Sequence, residues 1–189
     1  YPDVWRTYDA VTINREKYFE NVVALMENDY QYQAAKLNKA PNKDEWGTTP
    51  STVTAYYNPS LNEIVFPAAI LQPPFFNVDA DDAVNYGAIG GVIGHEFTHG
   101  FDDQGAKYDG EGNLRNWWTE QDQTQFQERG ARLISQYNNF EPLPGLNING
   151  ALALGENIGD LGGMTVALKA YQLSLDGKEA PVLDGFTGQ

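Results

Sequence analysis

The sequence predicts an α+β fold that is mainly helical. Three observations carry this reading. Apolar residues recur at helical spacing in four segments, at about 14–37, 80–99, 119–138 and 149–175. One β-branched and aromatic stretch, at 52–66, is interrupted by a single Pro-containing turn and predicts a lone hairpin. The second helical segment ends in His95-Glu96-Phe97-Thr98-His99, the pattern H-E-x-x-H.

In the first helix, Tyr18, Phe19, Val22, Leu25, Met26 and Tyr30 form a stripe that predicts core, and Asn14 can cap its start. Pro41 and Gly47 bound the loop that follows. Thr52-Val53-Thr54-Ala55-Tyr56-Tyr57 and Glu63-Ile64-Val65-Phe66 flank the turn Asn58-Pro59-Ser60-Leu61-Asn62, and Pro59 and Pro67 limit the strands. Residues 67–76 are apolar but contain Pro73-Pro74, which predicts an irregular packed segment. The next helix starts near 79–83, where several Asp supply caps, and stops at Gly100. Gly87, Gly90, Gly91 and Gly94 lie inside it. Each costs about 1 kcal/mol relative to Ala, which tight helix packing or a close ligand would explain. Residues 102–116 predict turns. Asp109-Gly110-Glu111-Gly112-Asn113 briefly resembles a calcium loop but lacks the twelve-residue ligand pattern, so it predicts a hairpin turn. Thr119 caps the third helix, and a loop rich in Pro and Gly at 141–150 precedes the last.

A chain of 189 residues is enough for one domain with a core of its own. The formal net charge of −14 repels phosphates and anionic membranes, so nucleic acid is excluded as a partner. The absence of Cys removes disulfides, thiolate ligands and thiolate nucleophiles. No apolar run approaches the length of a membrane span, and Tyr1-Pro2-Asp3-Val4-Trp5 is no signal peptide.

The chemistry concentrates in two motifs. On a helix, His95 and His99 lie on one face and can direct two imidazoles at one metal ion, with Glu96 beside them. The chain has only two His, and chance would place them four apart about one time in a hundred, fewer still with Glu between. Two His, a carboxylate and a water are the zinc ligands of a metal hydrolase. The third ligand is sought among the carboxylates, and Gly155-Glu156-Asn157-Ile158-Gly159-Asp160 stands out. Glu156 and Asp160 share a helix face in apolar surroundings, where carboxylates need partners. Glu156 can bind the metal, and Asp160 can accept the free ring N–H of a ligand His. The plain alternative is two charges on a solvated face. Asp102, three residues after His99, is either a second-shell acceptor for that His or a simple loop carboxylate.

These stretches carry a resemblance. The segments 54–57, 64–76 and 92–105, Trp117-Trp118 and the run 155–160 together resemble the neprilysin and endothelin-converting-enzyme family of zinc metallopeptidases, to which bacterial PepO-type oligopeptidases belong. The resemblance implies a thermolysin-like zinc-peptidase core with a small hairpin beside the active-site helix, spanning residues 1–189 as part of a catalytic domain. It implies one Zn2+ per chain held by His95, His99 and Glu156. It further implies Glu96 as general base and Asp160 as the residue that orients a ligand His. The family's Asn-Ala clamp for the substrate main chain falls on Thr54 and Ala55, so the Asn is replaced by a shorter polar arm. The pocket for the residue after the scissile bond falls on Ile70, Phe75 and Val92. Ala69 and Gly159 stand where the family usually has Gly and Ala.

The implied function is zinc-dependent endopeptidase action on oligopeptides, before hydrophobic residues. The implied partners are peptide substrates and the remainder of a parent polypeptide, and the implied location is periplasmic, secreted or at the cell surface. The family's oxyanion-stabilising His and Arg would follow Gln189. A zinc-binding but catalytically incompetent fragment or interaction module is therefore the alternative reading.

Overall fold

The computed structural model describes residues 5–187. Most of the opening pentapeptide considered above lies outside them. Contacts divide the chain into two compact units, Tyr1–Gly47 and Thr48–Gln189.

The first unit contains α1, Tyr18–Ala34, shorter at both ends than the periodicity predicts. Asn14 does not cap it. Its side chain instead accepts the Glu16 N–H, in a turn ahead of the helix. The stripe is also not core: no residue of α1 is buried, and Tyr18 and Phe19 are 82% and 74% exposed. A lone helix has no second apolar face within its unit against which to bury its own. Polar contacts hold this unit instead. Arg6 pairs with Asp29 at 2.8 Å and stacks between the rings of Tyr8 and Tyr32.

In the second unit, β1 (Tyr56–Asn58) pairs antiparallel with β2 (Glu63–Val65), with Tyr57 opposite Ile64. The hairpin is shorter than predicted, because 52–55 lie outside the ladder. The Asn58 side chain accepts the Ser60 N–H and hydroxyl, which closes the turn. Val65, Pro67 and Ile70 then enter the core, the last in a 3-10 turn at Ala68–Ile70.

The predicted active-site helix is two helices. α2 (Asp82–Gly87) is capped by Asp81, whose side chain accepts the Ala83 N–H. The chain breaks at Ala88 and restarts as α3, Ile89–Thr98. The break has a cause outside the helix: the Ile89 N–H is claimed by the carbonyl of Phe75, at 2.9 Å. Past Thr98 the chain tightens into a 3-10 turn, His99–Phe101, instead of stopping at Gly100.

Residues 102–116 are turns, as predicted. Asp109 Oδ1 accepts the N–H groups of Glu111 and Asn113, and Oδ2 pairs with Arg115 at 3.1 Å. Its oxygens therefore serve its own loop rather than calcium. Trp117 and Trp118 donate their indole N–H groups to the carbonyls of Tyr108 and Ala106. Thr119 caps α4 (Glu120–Asn138) by accepting the Asp122 N–H.

α5, Leu154–Ser174, starts five residues later than predicted. Asn149 accepts the N–H groups of Ala151 and Leu152 and forms a turn, while the Gly150 N–H is held by Asn138 of α4. A terminal hairpin of β3 (Val182–Leu183) and β4 (Phe186–Thr187) was not predicted.

α3 packs on α5 through glycines. A Cβ at Gly94 would lie 2.7 Å from the Gly163 carbonyl oxygen, and one at Gly163 would lie 2.6 Å from both the Gly91 carbonyl oxygen and the His95 N. These neighbours are backbone and cannot rotate away. Gly163→Ala is therefore expected to force the helices apart and destabilise the chain by about 1–3 kcal/mol. Urea unfolding of the two forms measures this, and an unchanged midpoint would contradict the contact.

Candidate metal centre

α3 and α5 bring the two sequence motifs together. His95 lies near the C-terminal end of α3, His99 lies in the 3-10 turn that continues it, and Glu156 lies in the first turn of α5. The ligand atoms of His95, His99 and Glu156 all fall within 4.8 Å of one another. Among the described residues this is the one such His, Cys, Asp or Glu group. Glu156 Oε2 is 3.3 Å from His95 Nε2 and 4.0 Å from His99 Nε2. Ligands at 2.0–2.2 Å from a tetrahedral ion stand about 3.3 Å apart, so the donor set fits zinc. The imidazoles meet edge to face with centroids 4.5 Å apart.

The other nitrogen of each ring is engaged by a carboxylate. His95 Nδ1 is 2.9 Å from Asp160, and His99 Nδ1 is 2.7 Å from Asp102. Assigning the proton to Nδ1 in both leaves each Nε2 lone pair for a metal. The two supports differ in strength. The Asp160 side chain is 72% exposed, whereas that of Asp102 is 6% exposed. Asp102 also accepts the N–H groups of Gln104 and Gly105. Burial pushes the Asp102 carboxyl up. The His99 hydrogen bond and the two backbone N–H donors outweigh this and hold it below the usual range. Reciprocally, the Asp102 hydrogen bond raises the His99 pKa against burial.

Glu96 is buried between the motifs, 6% exposed. Burial raises its pKa above the ordinary Glu value, while His99 and His95 draw it down and Glu156 adds to the rise. The Tyr57 backbone N–H of β1 donates to its carboxylate and anchors it. Reading the sequence did not find this contact, since a backbone donor leaves no residue-type signal. A cleft of about 510 Å³ opens beside the centre, lined by Tyr57, Pro59, His99, Leu152 and Glu156 among others.

The predicted substrate residues are less gathered. Thr54 and Ala55 form extended chain leading into β1, and the Thr54 hydroxyl donates to the Ala55 carbonyl at 3.2 Å. Ile70 is buried in the core, Phe75 and Val92 are half-buried, and none of the three lines the cleft.

Comparison with known proteins places this geometry. The profile of peptidase family M13 matches residues 54–189. Endothelin-converting enzyme 1 of Bos taurus is 47% identical over 169 residues, which is 89% of this chain and 22% of that protein. Neprilysin of Oryctolagus cuniculus is 44% identical over 167 residues, 87% of this chain and 22% of that protein. Among solved structures, Mycobacterium tuberculosis zinc metalloprotease ZMP1 in complex with an inhibitor matches with a TM-score of 0.91. It is 56% identical and covers 100% of this chain and 30% of that one. PepO from Lactobacillus rhamnosis gives 0.75 at 35% identity, over 90% of this chain and 27% of that one. The mainly helical α+β architecture with a thermolysin-like core is thus as expected. The chain spans 22% of these two curated relatives, and it belongs to peptidase family M13.

Proposed function

We propose that this chain carries the metal site and general base of a zinc metalloendopeptidase acting on oligopeptides. The observation that supports this most is the convergence of His95 Nε2, His99 Nε2 and Glu156 Oε2 beside a buried Glu96. These three residues would hold one Zn2+. Bound zinc supplies Lewis acidity and brings the pKa of a water toward neutrality. Glu96 would be the base that accepts a proton from the attacking water and returns it to the leaving amine. A base whose burial raises its proton affinity, fixed by the Tyr57 N–H, suits a group that must accept a proton and then return it. Asp160 and Asp102 hold the ligand imidazoles in the tautomer that frees Nε2.

The peptide would lie extended beside Thr54 and Ala55, antiparallel to an edge. A preference for a hydrophobic side chain after the scissile bond rests on the apolar character of Ile70, Phe75 and Val92. The remainder of a longer polypeptide would complete the enclosure. A location in the periplasm, at the cell surface or outside the cell is the reading that the family likeness supports. No described helix is long and apolar enough to cross a membrane.

In the full-length protein, Glu96→Gln is expected to lower peptide hydrolysis by at least about a hundredfold while zinc content stays at one per chain. Near-normal turnover, or loss of the metal, would show the role is misassigned. Asp102→Ala should weaken zinc binding about ten- to a hundredfold, and Asp160→Ala less, because Asp160 is solvated and holds its His by one contact. Chelator competition compares them, and a larger loss at Asp160 would reverse the assignment. The isolated 189-residue chain should bind zinc yet hydrolyse a short peptide about a hundred- to a thousandfold more slowly than the full-length protein. Both its His are committed to metal and neither can donate to the oxyanion. Equal turnover would place the whole machinery within this chain.

A further inference from the structure

Asp103 has no role in the chemistry above, yet it sits at the root of the third ligand. Its Oδ1 is buried without a hydrogen-bond partner, and its Oδ2 accepts only the Gln104 side-chain amide, at 2.6 Å. A Cβ built on Gly155 would lie 3.1 Å from Asp103 Oδ1 and 3.1 Å from Asp102 Oδ2. Both carboxylates therefore rest on the first turn of α5, one residue before Glu156. That turn has no side-chain cap of its own, and Ala153 stands at the N-cap. The positive end of a 21-residue helix thus meets two carboxylates from the loop that follows His99. Asp102 is tied to His99, so it links the turn to one ligand. Asp103 also forms part of the wall of both the metal-side cleft and a second apolar groove behind it, which Leu154 lines with Trp118 and Phe126.

Resting on the zinc reading proposed above, we propose that Asp103 is a positioning residue for Glu156. Its carboxylate holds the uncapped first turn of α5 against the His99 loop, and so sets the distance of the third ligand from the two imidazoles. Gly155 keeps this contact open, since a Cβ there would crowd both carboxylates at 3.1 Å.

The test uses the full-length protein and two variants, Asp103→Asn, which keeps shape and removes charge, and Gly155→Ala, which keeps both carboxylates and crowds them. Zinc affinity is measured by competition with a chromophoric chelator, and the melting temperature of each metal-free form is measured alongside. Both variants are expected to bind zinc about three- to tenfold more weakly, the scale of one favourable charge at a helix N-terminus. Their metal-free melting temperatures should fall by less than the affinity loss corresponds to. If Asp103→Asn does not fold, Gly155→Ala decides alone. Unchanged affinity in a wild-type background that takes up zinc overturns this inference and leaves the metal centre standing. An affinity loss matched by an equal metal-free destabilisation overturns it as well, since the role is then general stability. Wild-type protein that takes up no zinc overturns the metal centre and this inference with it.

Discussion

The close approach of α3 and α5 is the constraint on which the rest depends. The candidate ligands for one ion come here from two separate segments, the α3 end and α5, and metal–ligand distances tolerate only about 0.2 Å. Glycine is what lets the two backbones come near enough. Gly94 faces Gly163, and a Cβ at Gly159 would lie 2.8 Å from His95 Cε1 and Nδ1. The His95 ring therefore lies directly on the α5 backbone, one residue from the Asp160 that engages its Nδ1. At Gly159 the imidazole fills the space that a side chain would take. The helical cost of these glycines, about 1 kcal/mol each, is offset by an approach that no larger residue allows.

Charge is the second constraint. Glu96, Asp102, Glu156 and Asp160 surround two imidazoles, and two of these four carboxylates are buried. Each buried one has a specific compensation. Asp102 takes three hydrogen bonds and stays ionised below the usual range. Glu96 has one backbone donor, and its balance tips the other way, toward the proton. The two groups thus differ by environment rather than by kind: one is a fixed anion that orients, the other a group ready to exchange a proton. A divalent cation between Glu156 and the imidazoles would balance this excess of negative charge.

What could be read from the sequence was whatever local spacing encodes. H-E-x-x-H and E-x-x-x-D fix faces of helices, and Thr119 and Asp81 cap where their types predict. The failures share a cause in contacts between distant segments. Ala88 breaks a helix because Phe75 takes the Ile89 N–H. α5 starts late because Asn138 of α4 holds Gly150. The stripe of α1 has regular helical period yet stays exposed, since periodicity reports that a face is apolar and not that a partner lies within the same unit. Spacing to His99 does not distinguish an orienting Asp102 from a plain loop carboxylate, because its burial and the N–H groups of Gln104 and Gly105 are features of the folded loop.

The uneven burial separates what this chain does for itself from what a longer polypeptide would add. Val65, Ile70, Ile89, Ala167 and Tyr171 are the buried hydrophobic residues among those described, and the last three belong to α3 and α5. Leu161, Met164, Val166 and Leu173, on α5 itself, are exposed. Fully covering one such side chain stabilises by about 1.5–3 kcal/mol, so several together are comparable to the margin of an ordinary domain. The contacts that set ligand distance, however, are glycine-to-backbone and carboxylate-to-imidazole contacts internal to Thr48–Gln189. Metal geometry is therefore encoded locally. Enclosure and exclusion of water, by contrast, would draw on apolar surfaces that this chain presents exposed. On the proposed function, such a division would let the enclosure, and with it the substrates, change without disturbing the metal centre.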